Sequence, residues 1–206
     1  MLEAKIFKED WEVDSRLNSF GVTKDELMTA VQMAVSARAD SVAHDPVTAP
    51  GTLSYIYGTR GIRDVFAAKG WIPDCTFGIE SIYDPDTGTK IIFQNTDSAC
   101  EDRNPKAISA KGRASEMAIM LASKYLPGME ECQKLLRGPV WYLCVFANGD
   151  DVRAELSRPL SVEGGQFSAF FERIFILNHG EWKPFTLSRK EDYPLFQDFD
   201  IPVTRK

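Results

Sequence analysis

The sequence predicts an α+β fold, with N-terminal helices followed by a mostly antiparallel sheet built from hairpins. Apolar residues recur at helical spacing in the first third of the chain, and β-prone runs separated by turn residues dominate the remainder. There is no internal repeat, low-complexity tract or Gly/Ser linker, which favours a single domain over residues 1–206.

The composition is that of an ordinary globular protein. The chain has 206 residues, of which 44% are hydrophobic and 26% charged, and its net charge is −6. A chain of this size buries enough surface to fold without a metal or a disulfide. No apolar run approaches about 18 residues, so we expect neither a membrane span nor export. The scattered cysteines form no Cys-x-x-Cys motif, and a reducing cytoplasmic location is therefore expected; they are Cys75, Cys100, Cys132 and Cys144.

Two helices are predicted in the first third of the chain. Thr23 and Glu26 form the pattern of a capping box, and apolar residues up to Val42 follow at helical spacing, which predicts a helix over 24–41. The breakers between residues 44 and 51 end it. A second helix is expected over 59–69.

Hairpins are predicted on both sides of a further helix. Residues 77–83 and 90–93 flank a Pro- and Gly-containing turn at 84–88. The unbroken apolar run at 140–146 predicts a strand covered on both faces, and Asn148-Gly149 predicts a tight turn. Residues 152–157 should then pair back, and 167–177 should form another strand.

The segment between these hairpins predicts a third helix. It is expected to begin at Asn104 or at Ser109 and to end before Pro127. A short helix should follow at 129–137. The predicted inner face comprises Met117, Met120, Leu121 and Tyr125. The C-terminal tail contains prolines and many apolar residues, which predicts an extended arm docked on the core or on a second subunit.

Common catalytic signatures are absent from the sequence. It contains no phosphate-binding loop, dinucleotide fingerprint, zinc-protease motif or nucleophile elbow. His44 and His179 are the only histidines, so a His-rich metal site is excluded. Cys100 is next to acidic residues, which raise the pKa of a thiol and disfavour a nucleophile.

Acidic residues around the first hairpin provide one candidate site. Carboxylates and water are the ligands that Mg²⁺ prefers, and such clusters catalyse phosphodiester cleavage. The nuclease pattern of Glu or Asp two residues before a Lys fails here, because Gly88 precedes Thr89-Lys90. The candidate ligands of this hydrolase alternative are Asp74, Glu80, Asp97 and Glu101.

Basic residues provide a second candidate site. The run RNPKAISAKGR at 103–113 contains no acid and surrounds the predicted start of the third helix, where the helix dipole favours an anion. Two arginines three residues apart on the second helix lie on one of its faces. The predicted anion-binding residues are Arg60, Arg63, Arg103, Lys106, Lys111 and Arg113.

Three functions therefore remain open. The first is a non-catalytic binding protein that recognises a protein partner or self-associates, with no cofactor and no membrane contact. The second is binding of nucleic acid or a nucleotide through the local basic residues, although an acidic chain does not resemble a general nucleic-acid binder. The third is a Mg²⁺-dependent phosphodiester hydrolase.

Overall fold

The computed structural model describes residues 4–123 and 138–183, apart from the side chains of Leu121 and Ser123. The described helices are α1 (Asp10–Asn18), α2 (Lys24–Ala39), α3 (Ala49–Ala67) and α4 (Arg113–Ser123). The strands are β1 (Lys5–Phe7), β2 (Ile72–Asp74), β3 (Ser81–Tyr83), β4 (Lys90–Asn95), β5 (Val140–Asn148), β6 (Asp151–Glu163) and β7 (Gln166–Leu177). No described helix is long and apolar enough to cross a membrane.

All seven strands form one sheet in the order β1-β7-β6-β5-β4-β3-β2. Four neighbouring pairs are antiparallel, whereas β4 pairs with β5 and β1 with β7 in parallel. The α+β prediction is confirmed, with a mixed sheet instead of one made from hairpins alone. The long connection that contains α4 allows β4 and β5 to run in parallel.

Helices α1, α2 and α3 cover one face of the sheet with an apolar core. Leu17, Leu27 and Phe66 are fully buried and belong to the same cluster as Trp141 and Leu143 of β5. We call this side the helical face. Of its three helices, α2 and α3 correspond to the two helices that the sequence predicts here, whereas α1 was not predicted.

The prediction for α2 is confirmed, including its capping box. The Thr23 hydroxyl accepts the Glu26 backbone N–H at 3.3 Å, and the Glu26 carboxylate accepts the Thr23 N–H at 2.8 Å. The helix ends at Ala39, and Val42 is consequently 62% exposed rather than part of the apolar stripe.

The predicted start of the second helix is wrong. Helix α3 begins at Ala49, ten residues before the expected position, so Ala49-Pro50-Gly51 forms its first turn instead of breaking the chain. Proline fits there because first-turn N–H groups have no partner within the helix. Gly58 and Gly61 then permit close packing, since a Cβ would overlap the Phe93 ring at Gly58 and lie 2.8 Å from the Ala30 Cα at Gly61.

The predicted hairpins are confirmed, although the strand ends differ, and β6 extends to Glu163 instead of Ser157. The β3–β4 hairpin begins at Ser81, because Thr76–Gly78 forms a 3-10 turn. The β5–β6 pairing places Gly149 and Asp150, rather than Asn148 and Gly149, in the loop. Strand β5 is covered on both faces, as expected. Strand β7 begins at Gln166.

Neither predicted start of the third helix is correct. Helix α4 begins at Arg113, because residues 104–112 are held to the sheet by a Thr96–Ala107 bridge and by the Lys111 N–H, which donates to the Gly165 carbonyl at 2.7 Å. Its buried residues are Ala118 and Ile119, whereas Met117 and Met120 are 38% and 40% exposed. The Leu121 side chain, Tyr125, the predicted helix at 129–137 and the predicted C-terminal arm lie outside the described residues.

Candidate functional site

The parallel strands β4 and β5 end at a cleft of about 860 Å³. Open sheets commonly bind ligands just beyond the carboxyl ends of parallel strands. The cleft is bordered by the end of β4, the end of β5, the first turn of α3 and the segment leading into α4. Its polar lining includes Arg38, Thr48, Thr52, Glu80, Gln94, Asn95, Thr96, Asp97, Ser109, Lys111, Ser115 and Asn148.

Lys111 lines this cleft and lies beside two aromatic rings. Its Nζ is 4.8 Å from the centre of the Tyr142 ring and 5.4 Å from that of Phe167. The ammonium group donates a hydrogen bond to Oε1 of Gln94. The Gln94 Nε2 donates to the Asn95 carbonyl at 2.8 Å, which orients the amide oxygen toward Lys111.

The charge of Lys111 is not neutralised by a neighbouring carboxylate. Within residues 4–123 and 138–183, it forms no ion pair. Burial lowers the pKa of Lys111 to about 8, and the nearby Cys144 opposes this effect only in part. The cleft therefore contains a cation that is desolvated and uncompensated by the described protein.

Two helices direct their positive ends toward the same cleft. Asn95 fixes the first turn of α3, since its Oδ1 accepts the Ser54 hydroxyl at 2.8 Å and its Nδ2 donates to the Gly51 carbonyl at 2.9 Å. Ser115, in the first turn of α4, also lines the cleft. Helix N-termini stabilise negative charge through their unpaired N–H groups and dipoles.

The carboxylates at the cleft are already bound to arginines. The Glu80 carboxylate accepts a hydrogen bond from Arg63 Nη2 at 2.5 Å, and Asp97 accepts one from Arg103 Nη1 at 2.9 Å. Partial burial alone would raise the pKa of Asp97, yet Arg103 and the Lys106 backbone N–H lower it. The charges of both acids are therefore balanced by arginines, and neither acid is left to balance the charge of Lys111.

The six predicted anion-binding residues have different environments. Of these six, only Lys111 lines the cleft. Arg63 and Arg103 are engaged by carboxylates, and Arg60 lies 4.5 Å from the Tyr57 ring. The exposed residues are Arg60, Arg103, Lys106 and Arg113. The structure thus singles out one member of the predicted set.

The predicted metal ligands are all engaged in ion pairs. Asp74 contacts Lys90 at 2.7 Å, and Glu101 contacts both Arg103 and Arg153. The pairs of Glu80 and Asp97 are those already described. In the part of the chain that the structure describes, no three His, Cys, Asp or Glu side chains are grouped to hold a metal.

A second polar cluster lies deeper, on the sheet face opposite the helical face. Glu155 and Arg173 are 0% and 1% exposed and form two hydrogen bonds of 2.8 and 2.7 Å. The Ser157 hydroxyl and the Cys100 N–H also donate to Glu155, at 2.7 and 2.6 Å. Burial, followed by the charge of Glu155, raises the pKa of the Cys100 thiol, which disfavours a nucleophilic role.

Sequence reasoning missed several residues of the cleft. Gln94 and Asn95 follow the apolar residues of β4, and a polar pair at the end of a buried strand is a signal that could have identified them. Arg38 also lines the cleft but carries no such signal, because its position depends on packing. Comparisons of the chain with family models, with curated proteins and with solved structures found no match.

Proposed function

We propose that this protein binds a small anionic ligand in the cleft at the carboxyl ends of β4 and β5. The observation that carries the proposal is the Lys111 ammonium, which lies in the cleft wall without a carboxylate partner among the described residues. A bound carboxylate or phosphate would provide the missing charge. The contact between this anion and Lys111 would favour binding substantially, since a hydrogen bond to a charged partner contributes about 1.5–3 kcal/mol.

The rest of the cleft favours a ligand that also has an apolar or planar part. Val47, Tyr55 and Ile108 line it and are 99%, 40% and 64% exposed. A volume of about 860 Å³ is within the range of sites for ligands the size of a nucleotide. A mononucleotide combines both features, with its phosphate at Lys111 and its base against the apolar residues.

Polynucleotide binding has less support. It would require several free cations along an extended surface, because affinity for such polymers depends on the number of phosphates neutralised. Arg63 and Arg103, however, are paired with Glu80 and Asp97. One desolvated lysine inside a cleft is better suited to a single anionic group.

Isothermal titration calorimetry with AMP, inorganic phosphate and adenosine tests this function. We expect AMP and phosphate to bind the wild type, and Lys111→Met to weaken both by at least about tenfold. Lys106→Met is the matched control, since Lys106 is an exposed lysine of the same segment that does not line the cleft. Adenosine should bind more weakly than AMP because it has no phosphate.

The protonation of Lys111 gives a second measurement. A bound anion favours the ammonium form, so binding near pH 8 should be accompanied by proton uptake, measured as a dependence of the binding enthalpy on buffer ionisation. Equal loss of affinity in the Lys106 and Lys111 variants would contradict the proposal, as would equal binding of AMP and adenosine.

A further inference from the structure

Lys111 differs from the other described lysines in the chemistry that its surroundings permit. Lys90 is also buried, but Asp74 binds it at 2.7 Å and favours its charged form. Lys106 is exposed to water. Lys111 instead lies against two aromatic rings and an uncharged amide, beside an open cleft. An amine of this kind is available in its neutral form, which is the form that attacks a carbonyl.

We propose that the Lys111 amine forms an imine with an aldehyde or ketone group of an anionic ligand in the cleft. That the ligand is anionic and occupies the cleft rests on the function proposed above. When Lys111 reacts, the negative group is held by Arg38 and by the N-terminal turns of α3 and α4, which also line the cleft. The Nζ lone pair attacks the carbonyl carbon, and one proton passes from nitrogen to oxygen to give a carbinolamine. A second proton moves to the hydroxyl oxygen, the C–O bond breaks as water leaves, and the nitrogen lone pair forms the C=N bond of a protonated imine. Loss of the remaining N–H proton gives the neutral imine. An amine and a carbonyl thus give an imine and water, without an oxidant or a reductant.

The neighbouring groups suit both stages of this reaction. The Ser115 hydroxyl lines the cleft and can relay the proton from nitrogen to oxygen. The buried Tyr142 hydroxyl lies beside Ser115 and has no well-formed hydrogen bond among the described residues, so it is available to extend that relay. The protonated imine would remain over the Tyr142 and Phe167 rings and would still donate to the Gln94 amide oxygen.

Reductive trapping tests the proposal on the wild-type protein. The protein is incubated at pH 8 with glyoxylate, which combines an aldehyde with a carboxylate, or with the neutral aldehyde propanal. Sodium cyanoborohydride reduces the imine to a stable amine, and peptide mapping by mass spectrometry locates it. We expect glyoxylate to modify Lys111 at least about tenfold faster than Lys106, whereas propanal should be less selective. Modification of Lys111 no faster than Lys106 would overturn the proposal.

A substitution and a competitor complete the experiment. Lys111→Arg keeps the charge but lacks a nucleophilic amine, so it should lose the fast adduct, with its fold checked by circular dichroism. Inorganic phosphate should slow the labelling of Lys111 by glyoxylate in the wild type. If AMP and phosphate bind but Lys111 is not labelled preferentially, imine formation fails and anion binding stands. If Lys111 is labelled fastest by both aldehydes while phosphate neither binds nor protects, anion binding fails and the reactive amine stands.

Discussion

The two faces of the sheet are both buried, but they differ in what they bury. The helical face consists of apolar side chains such as Leu27, Leu143 and Ile174. The opposite face, which we call the polar face, buries the charged pair Glu155 and Arg173 in addition to a second, smaller apolar cluster that includes Tyr142 and Phe170. Along each strand, successive side chains point alternately to one face and to the other. The alternation of a strand therefore separates a wholly apolar core from a layer in which apolar side chains surround an ion pair.

The polar face itself has two parts with different degrees of charge compensation. The carboxylate of Glu155 is bound by Arg173, Ser157 and Cys100, so the inner pair is satisfied within the described protein. Lys111, at the border of the cleft, has an uncharged partner only. Groups that are fully paired stabilise one conformation, whereas an uncompensated charge at a cleft leaves a place for a ligand.

Removing one charge of the inner pair should have the largest effect. We expect Glu155→Gln to lower the free energy of unfolding by about 3–5 kcal/mol, because Arg173 would be left buried without an anion. Urea denaturation measures this change. Replacing both residues by methionine should restore much of the loss. If Glu155→Gln lowers the free energy of unfolding by less than about 1 kcal/mol, water reaches the pair. The inner pair would then not differ from Lys111 in its degree of charge compensation.

The helical face should respond to volume rather than charge. A Cβ at Gly58 would overlap the buried Phe93 ring, whereas at Gly51 in the same helix it would contact nothing within 4 Å. We expect Gly58→Ala to reduce stability by about 1–3 kcal/mol. Gly51→Ala should be neutral or stabilising by less than about 1 kcal/mol. Thermal and urea unfolding compare the two, and equal effects would mean that α3 shifts freely against β4.

The sequence predicted the elements whose signals are local. The capping box of α2 and the two hairpins each depend on a few neighbouring residues, and these elements are confirmed, although the loop of the β5–β6 hairpin is shifted by one residue. The starts of α3 and α4 were wrong because long-range contacts determine them. Asn95 holds the first turn of α3 from another element, and the bridge at Thr96 keeps residues 104–112 out of α4.

The candidate site could be predicted only in part for a similar reason. Lys111 was among the expected anion-binding residues, but so were Arg63 and Arg103, which have the same charge. Arg63 is paired with Glu80, 17 residues away in sequence, whereas Arg103 is paired with the nearer acids Glu101 and Asp97. The pairing of Arg63 depends on the tertiary fold, whereas the acids that precede Arg103 were a local signal that it would be paired.

The smallest expected effect tests the uncompensated lysine through the pH dependence of stability. Lys111 has a pKa of about 8 when folded and 10.5 as its ordinary value, so between these values the unfolded chain binds more protons. The free energy of unfolding therefore rises with pH in that window. Below pH 8 Lys111 is protonated in both states, so it adds no pH dependence there. Cys144 and Tyr142, whose pKa values are raised by burial, act in the opposite direction at higher pH but are present in every variant compared.

The difference in unfolding free energy between the wild type and Lys111→Met, followed over pH, therefore reports the titration of Lys111 alone. From pH 8 to pH 9, urea denaturation should show the wild type gaining about 1 kcal/mol relative to the variant, since one pKa unit corresponds to about 1.4 kcal/mol. Lys106→Met should keep the wild-type slope, because Lys106 is exposed. Parallel pH profiles for the wild type and Lys111→Met would mean that water or a counter-ion already stabilises the ammonium. The distinction between a satisfied inner pair and an open cation at the cleft would then no longer hold.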